Sequence, residues 1–123
     1  MDNHLRKKNA LRLRRSRHVR KRVQGTAARP RMSVNKSHKH IQVQLIDDEG
    51  QRTIVGTATY AKEFRDTNHN SKSKEAAKAL GTHIGQVAKK LNIHEVVFDR
   101  GPFKYHGVLA ELADAARATG LKF

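Results

Sequence analysis

The feature that most constrains this chain is a run of positive charge near its amino-terminal end that almost no acid balances. Fourteen of the 26 Lys and Arg residues lie in the first 40 positions, where Asp2 is the only acid. Between positions 6 and 22, ten of seventeen residues are basic. Such a run repels itself, and it is stabilised when phosphates neutralise it and release their counterions. It is therefore unsuited to a packed core, and it predicts a polyanionic partner.

Once the run is set aside, about 95 residues remain, enough for one domain with a modest core. We place the boundary between a basic extension, residues 1–28, and a globular domain, residues 29–123. The absence of cysteine excludes disulfides and thiolate metal ligands. No apolar run reaches the ~20 residues of a membrane span, and no hydrophobic segment of a secretory signal follows the basic start. We expect a cytoplasmic protein.

The extension has the composition of a helix but not its usual pattern. Residues 5–23 lack Gly and Pro and are rich in Arg, Lys, Leu and Ala, which are good helix formers. The apolar residues among them form no stripe at helical spacing, so such a helix has no face to pack on a core. We expect an extension that is disordered or frayed when free and helical on its partner. A solvated surface helix is the alternative.

Three segments of the domain have strand character. Apolar residues alternate with polar ones around residues 32–34 and 41–45, and residues 53–60 are rich in β-branched side chains. Period-two alternation is typical of half-buried strands. Short polar segments, 35–40 and 47–50, separate the three. The pattern predicts an antiparallel meander.

The remaining elements are a helix, a short strand and a second helix. Apolar residues recur at three- and four-residue steps between 76 and 91, which predicts a helix. Ser71 or Ser73 is positioned to cap its start, and Asn92 to end it. Residues 95–99 form a short apolar strand, and a last helix follows from residue 108 to Gly120. The order βββαβα predicts an α/β domain with a mixed sheet.

Acids and histidines suggest two kinds of catalytic site, and neither pattern is convincing. A metal-dependent nuclease needs carboxylates that converge on metal ions, whereas Asp47, Asp48 and Glu49 lie in a predicted turn, where Asp bonds to backbone. None of the eight histidines belongs to a helical zinc motif. The chain also lacks the spacing of a phosphate-binding P-loop. We expect neither metal nor cofactor and no enzymatic activity.

Two clusters suit RNA binding instead. The first, on a predicted hairpin, consists of Asn35, Lys36, Ser37, His38, Lys39 and His40. The second follows the last strand and consists of Arg100, Lys104, Tyr105 and His106. Their cations, polar groups and aromatic ring suit phosphates, 2′-hydroxyls and bases. An ordinary polar turn and a Tyr105 that anchors the last helix are the alternatives.

These clusters lie within a series of recognisable segments, which are residues 26–34, 37–41, 96–101, 104–107, 112–117 and 120–123. Taken together, and with the Asp47-Asp48 pair, they resemble the bacterial large-ribosomal-subunit protein eighteen family over nearly the whole chain. The resemblance implies a three-layer α/β domain with a mixed sheet and a basic extension. It also implies a structural protein that binds 5S rRNA and helps attach it to large-subunit rRNA in the central protuberance. Neighbouring large-subunit proteins, including protein five, are the implied protein partners.

We predict RNA contacts in three groups. Those of the extension are Arg6, Lys7, Lys8, Arg12, Arg14, Arg15, Arg17, Arg20, Lys21 and Arg22. Those on the side of the first hairpin are Arg29, Arg31, Asn35, Lys36, Ser37, His38, Lys39 and His40. Those of the C-terminal loop are Arg100, Lys104, Tyr105 and His106, and the resemblance also implies that Asp99 belongs to this loop.

The chain departs from the family pattern at two positions. Pro102 stands where the family usually has a second glycine after the Asp-Arg pair, so this position needs no positive φ and donates no backbone bond. Val108 replaces a common Arg after Tyr-His-Gly, which removes a phosphate contact from the start of the last helix. Two other functions stay open from the sequence alone: a small Mg²⁺-dependent nuclease of related topology, and a basic protein that compacts DNA.

Overall fold

The computed structural model describes residues 3–21, 23–61, 73–105 and 107–123. Its elements, in chain order, are α1 (Asn3–Arg20), β1 (Arg31–Lys36), β2 (Ile41–Asp47), β3 (Arg52–Ala58), α2 (Lys74–Lys90), β4 (Val97–Asp99) and α3 (Val108–Ala118). The predicted order βββαβα is therefore confirmed. It follows an exposed helix, α1, which corresponds to the solvated surface helix that was the alternative for the extension. The third strand ends two residues before the predicted end, and the fourth keeps only its last three residues in the sheet.

One mixed sheet organises the domain. Its strand order is β3-β2-β1-β4. The first three strands form the predicted antiparallel meander, and β4 adds to the outer side of β1 in the parallel direction. A parallel neighbour requires a long crossover, which here contains α2. The α/β class with a mixed sheet is thus confirmed.

The core lies between one face of the sheet and the helix pair α2 and α3. Met32 and Val34 of β1 are buried on this face, opposite Leu45 and Val43 of β2 in the register. The alternate residues of both strands point to the other face, as the two-residue period requires. That second face is polar, and it carries Ser33, Asn35, Gln42 and Gln44.

Two glycines one helical turn apart allow α2 to approach α3 closely. A Cβ atom at Gly81 would meet the backbone carbonyl of Leu112, and one at Gly85 would meet the side chain of Thr119. Both glycines are buried. Because glycine lacks a side chain, the helix axes come nearer than larger residues would permit.

The ends of α2 follow the predicted capping. The Ser73 side chain accepts a hydrogen bond from the amide of Ala76 at 3.1 Å. Asn92 has a φ of 59°, the left-handed conformation in which Asn is favoured after a helix. Ser71, the other predicted cap, lies outside the described residues.

The helix α1 differs from the other two because none of its residues is buried. Ser16 and Val19 are half-buried, and all other residues of α1 are exposed. Near its C-terminal end, Ser16 and Arg20 border a cleft of about 380 Å³ over the polar sheet face. No helix in the described part of the chain is long and apolar enough to cross a membrane.

Candidate nucleic-acid interface

The first candidate surface is the exposed length of α1. The helix carries no acid, and the predicted cations of the extension that the structure describes are all exposed. These are Arg6, Lys7, Lys8, Arg12, Arg14, Arg15, Arg17, Arg20 and Lys21. Arg22 lies outside the described residues. A helix with cations on every side is open to phosphates from several directions, and it offers little that discriminates between sequences.

The second candidate surface begins at the tight turn between β1 and β2. The amide of Ser37 donates to the carbonyl of His40 at 2.8 Å. The Ser37 hydroxyl accepts from the amide of His40 and donates to its carbonyl, both at 3.1 Å. The hydroxyl of Ser37 is therefore part of the turn itself. His38 and Lys39 at the tip are exposed.

The end of β3 supports this turn from the side. The His40 ring pairs through Nδ1 with the Thr59 hydroxyl at 2.9 Å, and it meets the Tyr60 ring edge-to-face at 5.4 Å between centroids. The Tyr60 hydroxyl accepts a hydrogen bond from the side-chain amide of Gln42 at 2.8 Å. Tyr60 is 52% exposed. A partly exposed aromatic ring in a fixed orientation is a surface on which a base can stack.

The loop after β4 is closed by its own backbone and by Arg100. The Arg100 guanidinium donates to the carbonyl of Phe103 at 2.8 Å. Gly101 has a φ of 60°, which glycine adopts without strain. The positive φ therefore falls at Gly101 and not at Pro102, so the proline is compatible with the turn. Lys104 is exposed beside it.

Tyr105 belongs to an aromatic cluster that anchors the C-terminus. Its ring meets Phe98 edge-to-face at 5.5 Å, and Phe98 stacks on Phe123 at 5.7 Å between centroids. Arg117 donates to the Tyr105 hydroxyl at 2.9 Å and lies over the Phe123 ring. Tyr105 nevertheless remains 43% exposed, so it anchors the fold and also faces solvent. His106 lies outside the described residues.

The topology brings the turn and the loop to one end of the sheet. Because β1 and β4 are parallel, both end in the same direction, where β2 begins and β3 ends. The Lys36 ammonium lies 5.6 Å from the centroid of the Phe103 ring, which joins the two segments. We call this end the hairpin edge; it consists of Lys36, residues 37–40, Tyr60 and residues 100–105.

One predicted contact, Arg31, has a structural role inside the domain together with the loop residue Asp99. The guanidinium of Arg31 donates to Asp99 at 2.8 Å and, through two nitrogens, to Asp48 at 3.0 and 3.2 Å. The side chains of Arg31 and Asp99 are only 9% and 4% exposed. A buried ion pair that also makes hydrogen bonds does not leave its partners for a phosphate without a large penalty. Arg31 and Asp99 are therefore interior residues and do not belong to the exposed surface. Arg29, in contrast, is exposed.

The same network accounts for the electrostatics of its members. Hydrogen bonds from the Arg31 side chain hold the pKa of Asp48 below its ordinary value, and the backbone bond from Gly25 acts in the same direction. Burial disfavours the charged guanidinium of Arg31, but its hydrogen bonds to Asp48 and Asp99 outweigh this and raise its pKa. Both groups are therefore charged at neutral pH.

The acids that suggested a nuclease have other partners. Asp47 accepts a hydrogen bond from the amide of Gly50 at 3.0 Å, as an Asp in a turn does. Asp48 and Asp99 approach each other only through the guanidinium between them. Among the described residues, no group of three or more His, Asp or Glu is arranged to hold a metal ion.

Comparison with known proteins gives a family. A family model described as ribosomal L18 of archaea, bacteria, mitochondria and chloroplasts matches residues 6–123. The chain is 57% identical to large ribosomal subunit protein uL18 of Protochlamydia amoebophila and 48% identical to that of Chlamydia felis, over all of each chain. It is 50% identical to that of Clostridium novyi over 119 residues, which are 95% of this chain and 98% of the relative. The chain belongs to the ribosomal L18 family.

Membership of the ribosomal L18 family makes this chain a structural protein of the large ribosomal subunit. Its role is in translation, and its family associates with rRNA. The expectation of a non-enzymatic protein is confirmed, because members of this family are ribosomal structural proteins. The expected location in the cytoplasmic ribosome is confirmed in the same way.

Three features of the candidate interface in this ribosomal L18 protein were not found from the sequence. Tyr60 lies beside the turn because β2 and β3 are antiparallel, which places the end of β3 next to the start of β2. The predicted meander contains the signal that could have identified it. Phe103 gives no such signal, because in the sequence a large apolar side chain is typical of the core. No local signal showed that Arg31 pairs with Asp99, which is 68 residues away.

Proposed function

We propose that this protein binds 5S rRNA and helps attach it to large-subunit rRNA in the central protuberance. The observation that carries the proposal is the presence of two different cationic surfaces. One is a bare helix of exposed cations without a single acid. The other is the hairpin edge, where cations and aromatic rings are held in place by turn and ring contacts.

The two surfaces suit different parts of RNA recognition. Contacts from α1 neutralise phosphates, which provides affinity with little dependence on sequence. Contacts from the hairpin edge require an RNA whose backbone and bases fit a rigid arrangement, because loops and ends of structured RNA are recognised by shape and stacking. The proposed contacts are the exposed cations of α1 and Lys21, which follows it. At the hairpin edge and next to it they are Asn35, Lys36, His38, Lys39, His40, Arg100, Lys104 and Tyr105.

The test is a competition at physiological salt. Labelled 5S rRNA bound to the full chain is displaced by unlabelled 5S rRNA, by an unrelated structured RNA of equal length, or by duplex DNA. We expect 5S rRNA to compete at least tenfold more strongly than the other two, since a specific site adds more than 1.4 kcal/mol to non-specific attraction. Equal competition by duplex DNA would instead support a DNA-compacting protein.

The remaining alternatives are tested in the same samples. Cleavage of either RNA that requires Mg²⁺ and disappears in Asp47→Asn would support a nuclease. For protein partners we propose neighbouring large-subunit proteins, protein five among them. Co-purification of protein five with the chain in the presence of 5S rRNA, and not after the RNA is digested, would show that the RNA connects the two.

A further inference from the structure

The joint between α1 and the sheet is built around one carboxylate. Asp48, in the turn after β2, accepts a hydrogen bond from the amide of Gly25 at 2.7 Å. Its own amide donates to the carbonyl of Gly25 at 3.1 Å. A Cβ atom at Gly25 would collide with the backbone of Arg31 and Ile46. The segment that connects α1 to β1 is therefore fixed to the end of the sheet at this point.

Charge gives the joint a preferred arrangement. Two carboxylates, those of Asp48 and Asp99, flank the single guanidinium of Arg31, so these three side chains carry one excess negative charge. Arg20, in the last turn of α1, lies 3.8 Å from Asp48 and balances that charge. The Asp48 side chain is only 15% exposed, so an unbalanced charge there is less well screened by water than on an open surface.

The docked end of α1 also borders a cleft over the polar face of the sheet, which leads to the hairpin edge. Ser16 and Arg20 line one cleft with Ser33 and Asn35 of β1 and with the loop at Pro102. The half-buried residues of α1 are Ser16 and Val19, both near this end. The preceding residues of α1, 3–15, are all exposed, so we take its direction to depend on the joint.

We infer that Asp48 is a positioning residue for RNA recognition: it fixes the direction of α1 so that the helix and the hairpin edge meet one RNA together. The inference rests on the proposed function. Asp48 touches no RNA in this scheme and acts through Gly25, Arg31 and Arg20. A helix held in its binding direction avoids the ordering cost that a free helix incurs on association.

The direction in which a charge-removing substitution changes RNA affinity separates this role from simple electrostatics. Asp48→Asn removes one negative charge from a protein that binds a polyanion, which by attraction alone strengthens binding. Glu49→Gln makes the same change at the next residue, which is exposed and provides the matched control. We expect Glu49→Gln to bind 5S rRNA at least as tightly as the original chain. We expect Asp48→Asn to bind about tenfold more weakly, as when a binding-competent arrangement is populated about a tenth of the time.

The direction of α1 is measured without RNA. The chain has no cysteine, so Asn9→Cys and Gln86→Cys, both at exposed positions, accept spin labels at defined sites. Pulsed electron paramagnetic resonance then gives the distribution of distances between the two spin labels, one on α1 and one on α2. We expect a narrow distribution in the original chain and in Glu49→Gln, and a broad one in Asp48→Asn. A broad distribution in the original chain, or binding by Asp48→Asn as tight as by Glu49→Gln, overturns the inference.

A second pair of variants covers the case in which Asp48→Asn loses its cooperative melt. Arg20→Gln and Arg17→Gln each remove one exposed cation of α1, but only Arg20 contacts Asp48. A broader distribution in Arg20→Gln than in Arg17→Gln supports the joint, and equal distributions overturn it. These distances do not depend on RNA. If the original chain fails to prefer 5S rRNA while the distances respond as expected, the proposed function fails and the anchoring of α1 stands.

Discussion

We expect the replacement of Gly81 by alanine to destabilise the protein, which is the reverse of the usual effect of that change in a helix. In an ordinary helix interior, Gly→Ala stabilises by about 1 kcal/mol, because alanine loses less backbone freedom. At Gly81 the new Cβ atom meets the backbone carbonyl of Leu112 in α3. A backbone atom within a packed helix does not rotate away, so the two helices must separate.

The magnitude follows from two opposing contributions. Forcing an extra carbon into a well-packed contact costs typically ~1–3 kcal/mol, and the helix preference recovers about 1 kcal/mol. We therefore expect Gly81→Ala to lower the free energy of unfolding by up to about 2 kcal/mol. For a domain of this size, each 1 kcal/mol lowers Tm by roughly 4–8 °C.

The assay is thermal and urea unfolding followed by circular dichroism, with Gly56→Ala as the matched control. A Cβ atom at Gly56 has the flexible Gln44 side chain as its nearest neighbour, at 3.3 Å. Alanine is also preferred to glycine within a strand. We expect Gly56→Ala to leave Tm unchanged or raised. A raised Tm for Gly81→Ala would refute the argument, because it would show that α2 and α3 do not need the close approach.

Four further predictions concern RNA and pH. If the two surfaces neutralise ~6–10 phosphates, the affinity for 5S rRNA falls by about 10³–10⁵ between 50 and 200 mM salt, and a titration that shows a flat dependence would contradict this. Arg12→Ala with Arg15→Ala should weaken 5S rRNA and unrelated RNA equally, with the salt slope lower by about 2. Lys39→Ala with Lys104→Ala removes the same charge at the hairpin edge and should lower the preference for 5S rRNA in parallel titrations. Because the pKa of Asp48 is depressed in the folded state, its stabilisation is complete above the unfolded value of about 3.9 and is lost as pH falls through the lower folded value. The free energy of unfolding, measured by urea denaturation at a series of acid pH values, should therefore fall less steeply with decreasing pH in Asp48→Asn than in the original chain.

Local rules predicted most of the secondary structure. The alternation in β1 and β2 and the three- and four-residue steps of α2 were sufficient to place these elements, and both ends of α2 followed capping chemistry at Ser73 and Asn92. The sequence indicated that β4 is a strand but not its place in the sheet, because its pairing with β1 joins segments more than 60 residues apart. The Gly81 contact was missed for the same reason.

The sequence was sufficient to predict the residues of the candidate site whose role depends only on their own charge. It was not sufficient for residues whose role depends on which distant side chains they contact. The cations of α1 are exposed as expected, because a helix without an apolar stripe has no reason to bury them. Arg31 shows the limit. In the sequence it is one more cation beside Arg29, and its position in a strand does not tell whether solvent or a carboxylate faces it. The two acids that pair with Arg31 lie 17 and 68 residues away, and no local sequence pattern connects them to it.

The placement of acids follows from this distribution of charge. In a chain with a net charge of +15, an exposed carboxylate near the RNA-binding surfaces would weaken the attraction to phosphate. The side chains of Asp48 and Asp99 are only 15% and 4% exposed and are already paired with Arg31, so they hold the joint together with little effect on the field outside it. Among the exposed acids that the structure describes, Glu75 lies at the start of α2, where a negative charge favours the helix terminus. Under the proposed function, one network thus supplies rigidity at the base of α1 without reducing the attraction that α1 provides.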